Sequence, residues 1–137
     1  MTASPPVLLD TDILSAILRG DAVVTARAQD YLRVHQRFAL SIITRYEILR
    51  GLKAKRATKQ QAAFDRFCAA STVLPLSDAI VVRATEIYAA LYQRGELIGD
   101  ADTLIAATAI VEGRNLSTNN ERHFERIEGL EIDNWLK

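Results

Sequence analysis

The chain has 137 residues, 49% hydrophobic and 25% charged, the proportions of one ordinary globular domain with length enough for a single core. No apolar run approaches the ~20 residues of a membrane span, and Met1-Thr2-Ala3-Ser4-Pro5-Pro6 has neither the basic flank nor the apolar stretch of a secretory signal. Cys68 stands alone, so no internal disulfide is possible and a cytoplasmic location is expected.

Strand-like and helical runs alternate, which predicts an α/β fold with a parallel sheet. Val7-Leu8-Leu9 reads as the first strand. Helices follow over about 13–18 and 23–36, separated by Gly20-Asp21. Residues 38–41 read as a second strand, helix resumes to about Lys55, another helix spans roughly 59–70, and a strand is expected at 73–76. Ser77 can cap the next helix, whose Ile80, Ala84, Ile87, Tyr88 and Leu91 recur at helical spacing, with Gly95 as its stop. The helix from about Asp100 to Gly113 carries Leu104, Ile105, Ala106, Ala107, Ala109, Ile110 and Val111 around most of its circumference, which predicts deep burial. A strand at 115–118 enters the turn Asn119-Asn120, and 130–132 reads as an edge strand. With no repeat or linker, one domain over 1–137 is expected.

The net charge of 0 conceals an asymmetry: residues 1–70 carry 11 basic and 6 acidic side chains, residues 71–137 carry 6 and 11. The basic half is densest between Ser41 and Lys59, where Arg45, Arg50, Lys53, Lys55, Arg56 and Lys59 face only Glu47. Such a cluster suits either a polyanion or a solvated helix face.

Asp10 ends the first strand, and chemistry in parallel α/β sheets collects beyond the carboxyl ends of strands. Asp100 and Asp102 sit in the first turn of the buried helix, where acids ordinarily cap and complement the dipole. Thr11 or Asp12 could likewise cap the first helix. Glu47 projects away from the Ile48, Leu49 and Leu52 face, where a lone Glu is ordinarily exposed and paired with Arg50 or Lys53. Should Asp10, Glu47 and Asp102 converge, their charges would repel and one would retain its proton unless a cation intervened. A hard ion such as Mg²⁺ resolves that conflict with oxygen ligands and activates water toward phosphodiesters. No Cys/His cluster or Gly-rich phosphate loop competes, and His35 and His123 stand isolated.

These residues resemble the PIN-domain ribonucleases, especially the VapC-type toxins of toxin–antitoxin pairs. Four blocks match in order: Leu8 to Leu14, Tyr46 to Gly51, Ile98 to Ala107, and Ser117 to Asn120 followed by His123-Phe124. The resemblance implies a three-layer α/β/α sandwich with a mainly parallel sheet. It also implies a Mg²⁺- or Mn²⁺-dependent acidic site that cleaves single-stranded or structured RNA and so inhibits translation. It makes Asp10, Glu47 and Asp102 the catalytic acids, with Asp10 and Asp102 on the metal and Glu47 orienting a water or completing the coordination. Asp102 rather than Asp100 aligns, because it lies three residues after Gly99. The fourth family acid falls on Asn120, with Thr118, Asp12 and Asp100 as auxiliary groups and Arg45 and Arg50 as guides for RNA phosphates. The expected partners are RNA, a small VapB-type antitoxin and a second copy in a homodimer, with no membrane.

Two alternatives stand beside it. Asp10-Thr11-Asp12 resembles the Asp-x-Asp of haloacid-dehalogenase-like phosphatases, with Asp10 as nucleophile and Asp12 as general acid. However, Ile13-Leu14 follows where Gly-Thr is expected. The Asn120 departure leaves room for a PIN scaffold that binds RNA or protein with weak turnover.

Overall fold

The computed structural model describes residues 5–137. Its elements are β1 (Val7–Leu9), α1 (Thr11–Leu18), α2 (Ala22–His35), β2 (Ala39–Ser41), α3 (Ile42–Ala54), α4 (Thr58–Ala69), β3 (Thr72–Leu74), α5 (Asp78–Gln93), α6 (Asp100–Val111), β4 (Asn115–Ser117) and α7 (Glu121–Phe124). The strands form one four-stranded sheet in the order β3-β2-β1-β4, every pairing parallel. Central parallel strands are buried on both faces and read as continuous apolar runs, and β1 does so, with all three residues buried.

Alternation along β1 divides the interior in two. Val7 and Leu9 enter a core with Ile13, Leu14, Val24, Tyr31, Phe64 and Trp135 from α1, α2, α4 and the C-terminal segment. Leu8 enters a second core with Ile80, Ile87, Leu91, Ile105 and Phe124 from α5, α6 and α7. The result is the expected α/β/α sandwich. No helix among the described residues is long and apolar enough to cross a membrane.

The strand order positions the site. From β1 the chain moves one way across the sheet through β2 and β3, then returns to lay β4 on the other side of β1. Such a reversal opens a crevice at the carboxyl ends of the two flanking strands, here β1 and β4. The backbone closes that end with a bond from Asp10 N to Ser117 O at 2.9 Å.

Several expected boundaries shift for local reasons. β3 ends at Leu74 because Pro75 brings no N–H to a ladder. The expected edge strand at 130–132 reduces to one parallel bridge, Leu116 to Ile132. Ser77 caps α5 as expected, accepting from Ile80 N at 3.2 Å. Tyr88, counted on the buried stripe, lies at its rim 43% exposed and stacks on Tyr92 at 6.1 Å. α6 is buried from Ile105 to Ala109, yet Val111 emerges at its end. Gly95 and Gly113 follow α5 and α6 with φ of 68° and 67°, the left-handed conformation a helix stop requires.

Candidate active site at the β1–β4 crevice

Asp10 caps α1 and is 5% exposed. The expected caps, Thr11 and Asp12, are displaced from that position because α1 starts at Thr11, directly behind the strand. Asp10 Oδ1 accepts from Thr11 N at 2.8 Å, and Oδ2 accepts from the buried Thr118 hydroxyl, also at 2.8 Å. Burial pushes the Asp10 carboxyl up to about 7, and the charges of Asp12 and Asp102 push the same way against the two hydrogen bonds.

Asp12 satisfies the first-turn Ile13 N–H at 2.7 Å with one oxygen. With the other it accepts from Asn119 N at 3.0 Å, tying α1 to the loop after β4. Burial raises its carboxyl too, with Asp102 contributing in the same direction. Asp102 stands in the first turn of α6 with Oδ2 3.4 Å from His123 Nδ1.

Glu47 is neither exposed nor paired with Arg50 or Lys53, contrary to expectation. It is half-buried, and its Oε1 accepts from the Thr11 hydroxyl at 2.8 Å, with Thr44 Oγ1 3.3 Å from the same oxygen of Thr11. A carboxylate reached from α3 is thereby fixed to the residue that follows Asp10. Asn120 N donates to Thr118 Oγ1 at 3.0 Å, and its amide nitrogen lies 2.9 Å from His123 Nδ1. Asp100 makes no capping bond. Gly99 is the N-cap of α6, and Asp100 instead borders a groove with Val81, Tyr88 and Leu104, where its charge still complements the helix dipole.

The two arginines part ways. Arg45 lies 5.9 Å over the Phe64 ring and 3.9 Å from Asp65, turned toward α4. Arg50 stays exposed on α3 with its guanidinium 5.0 Å over Tyr46. Sequence reasoning passed over Thr11 and Thr44 as site residues and set His123 aside as isolated. The sign of His123 was its position three residues after Asn120, a spacing that puts both on one side of a short helical turn.

The donor set suits a hard cation. The charges of Asp12 and Asp102 raise the Asp10 carboxyl, and that of Asp102 raises Asp12; bringing positive charge among them removes that cost. Among the described residues no three His, Cys, Asp or Glu side chains stand close enough to enclose an ion by themselves. Carboxylates spaced in this way suit an ion that keeps several of its own waters, as Mg²⁺ does.

A model of the PIN domain matches residues 7–130. The chain belongs to the PIN-domain family, among the VapC-type ribonucleases. Ribonuclease VapC1 of Methanocaldococcus jannaschii is 38% identical over 69% of this chain and 68% of its own length. Ribonuclease VapC2 of Rickettsia felis is 30% identical over 95% of this chain and 98% of its own. Among solved structures, the VapBC2 complex of Rickettsia felis bound to a promoter DNA fragment superposes with a TM-score of 0.86 at 27% identity, covering 94% of this chain and 98% of that one. Membership in this family removes the phosphatase alternative. Asp12, its general acid, here holds the Ile13 and Asn119 amides.

Proposed function

We propose that this PIN-domain nuclease is the toxin of a VapBC-type toxin–antitoxin pair, cleaving RNA in the cytoplasm by divalent-metal-dependent hydrolysis and thereby inhibiting translation. The observation that carries the reading is the gathering of Asp10, Asp12 and Asp102 at the β1–β4 crevice, where burial and the neighbouring negative charges raise the carboxyls of Asp10 and Asp12. The partner reading rests on the VapBC complex to which the chain is similar.

Asp10 and Asp102 are the residues to hold Mg²⁺ or Mn²⁺, and Glu47, bound to Thr11 through one oxygen, keeps acceptor capacity on the other. The ion when bound supplies Lewis acidity toward the phosphodiester and its water nucleophile. In the net reaction a water oxygen bonds to phosphorus, one phosphorus–ribose oxygen bond breaks, and the departing oxygen takes up a proton. Thr118 and Thr11 hold the Asp10 carboxylate in one orientation through the 2.8 Å bonds to its two oxygens. Asp12, through Asn119 N, holds the loop that carries Asn120 and His123 beside Asp102.

The test is cleavage of varied RNAs by antitoxin-free protein in Mg²⁺, Mn²⁺ and EDTA, beside Asp10→Asn and Asp102→Asn. Both variants should fold and lose cleavage. Cleavage that survives both substitutions, or that EDTA leaves untouched, would exclude this site. In the absence of cleavage by wild type on any RNA, the binding-scaffold alternative would take its place.

A further inference from the structure

Outside the acidic crevice, some cations pair with carboxylates, and those that do not include a run along one segment. Arg27, Arg33, Arg45, Arg83, Arg94 and Arg126 each pair with a carboxylate. Arg50, Lys53, Lys55, Arg56 and Lys59 are exposed and pair with no acid among the described residues. All five lie on α3, the turn after it and the start of α4. The acid nearest to them in sequence, Glu47, is already engaged by Thr11. Cations without counter-ions raise one another's energy, and an external polyanion relieves that cost.

An aromatic ring begins this strip. Tyr46 is 60% exposed, directly precedes Glu47, and lies one helical turn before Arg50, whose guanidinium sits 5.0 Å over the ring. Ile42, another turn earlier, is 39% exposed on the same line. A phenol ring left in water with a guanidinium against it forms a flat, cationic surface of the kind on which nucleobases stack. The strip runs along α3 from the residue before Glu47, the acid bound to Thr11, to the unpaired lysines. A second copy of this strip facing it across a two-fold axis would set positive charge against positive charge, so the charge favours RNA as the occupant.

We propose that Tyr46 and Arg50 position the substrate, stacking one base of a single-stranded RNA beside Glu47 while its phosphates follow Lys53, Lys55, Arg56 and Lys59. This rests on the nuclease reading above, and binding can be tested apart from cleavage. Affinity is measured by fluorescence anisotropy with a 2′-O-methyl oligonucleotide that resists cleavage, and turnover with RNA of the same sequence. Tyr46→Ala should weaken binding about tenfold and raise KM more than it lowers kcat, whereas Tyr46→Phe stays within about twofold of wild type. Arg50→Ala should weaken binding and flatten its salt dependence. Both positions of substitution are on the surface, so the urea midpoint should not move.

Wild-type affinity in Tyr46→Ala overturns the proposal. So does a loss of oligomer mass in sedimentation with RNA affinity intact, which assigns the strip to a second copy. Equal competition by a poly-glutamate peptide assigns it to an acidic protein and overturns it likewise. Tyr46-dependent binding without any cleavage by wild type would keep the platform and refute the nuclease reading; Asp10-dependent cleavage indifferent to Tyr46 would do the reverse.

Discussion

The Asp10→Asn substitution separates the electrostatic cost of the site from its chemistry. With the folded carboxyl at about 7 against an ordinary 3.8, the metal-free folded protein binds more protons than the unfolded chain between those values. Stability from this group is therefore fully present below about pH 4 and lost as pH rises through 7. A shift of that size amounts to about 4 kcal/mol between the extremes, of which about 2.5 kcal/mol falls between pH 5 and pH 8. Asparagine cannot ionise, yet it can still accept from Thr11 N and meet the Thr118 hydroxyl. In EDTA, urea unfolding at pH 5, 6, 7 and 8 should show wild type losing stability relative to Asp10→Asn by about that 2.5 kcal/mol. Adding Mg²⁺ or Mn²⁺ at pH 8 should restore wild type and leave the variant where it was. A difference between the two proteins that stays constant from pH 5 to pH 8 would refute the account of Asp10 as a buried, charge-stressed acid.

Thr118→Val removes a fully buried hydroxyl that donates to Asp10 Oδ2 and accepts from Asn120 N. It should cost about 1–3 kcal/mol in urea unfolding and reduce cleavage although every acid is retained; an active, equally stable variant would show that the hydroxyl positions nothing. Phe64→Ala opens a cavity in the core under α4, where the ring is wholly buried beneath Arg45. A loss of about 3–5 kcal/mol is expected from the urea midpoint, and less than about 1 kcal/mol would mean that α4 closes over the gap.

The resemblance of these elements to a PIN domain was legible because most of the signals are local. Val7-Leu8-Leu9 is apolar throughout since a central parallel strand is buried on both faces, and Ser77, Gly95 and Gly113 mark helix ends through their own backbone chemistry. The three catalytic acids proposed could be named from short motifs that each stand on one element. Their neighbours could not. The bond between Thr11 and Glu47 joins positions 36 apart, and that between Asp12 and Asn119 joins positions 107 apart. Periodicity records which face of a helix is buried, but not which polar group of another element meets the rest.

The same division holds for the molecule as a whole. By itself the sequence determined the alternation of elements, the acids beyond β1 and in α6, and the basic run along α3, since these depend on residue type and spacing along one segment. Only the tertiary structure decided that β4 lies beside β1, so that Thr118 locks Asp10 and His123 joins Asp102. It likewise decided which cations are neutralised. Arg45 turns to Asp65 on α4, while Arg50, five residues further along the same helix, is left over Tyr46 with no counter-ion among the described residues. Burial and pairing are properties of what lies across space, and the chain cannot state them until it is folded.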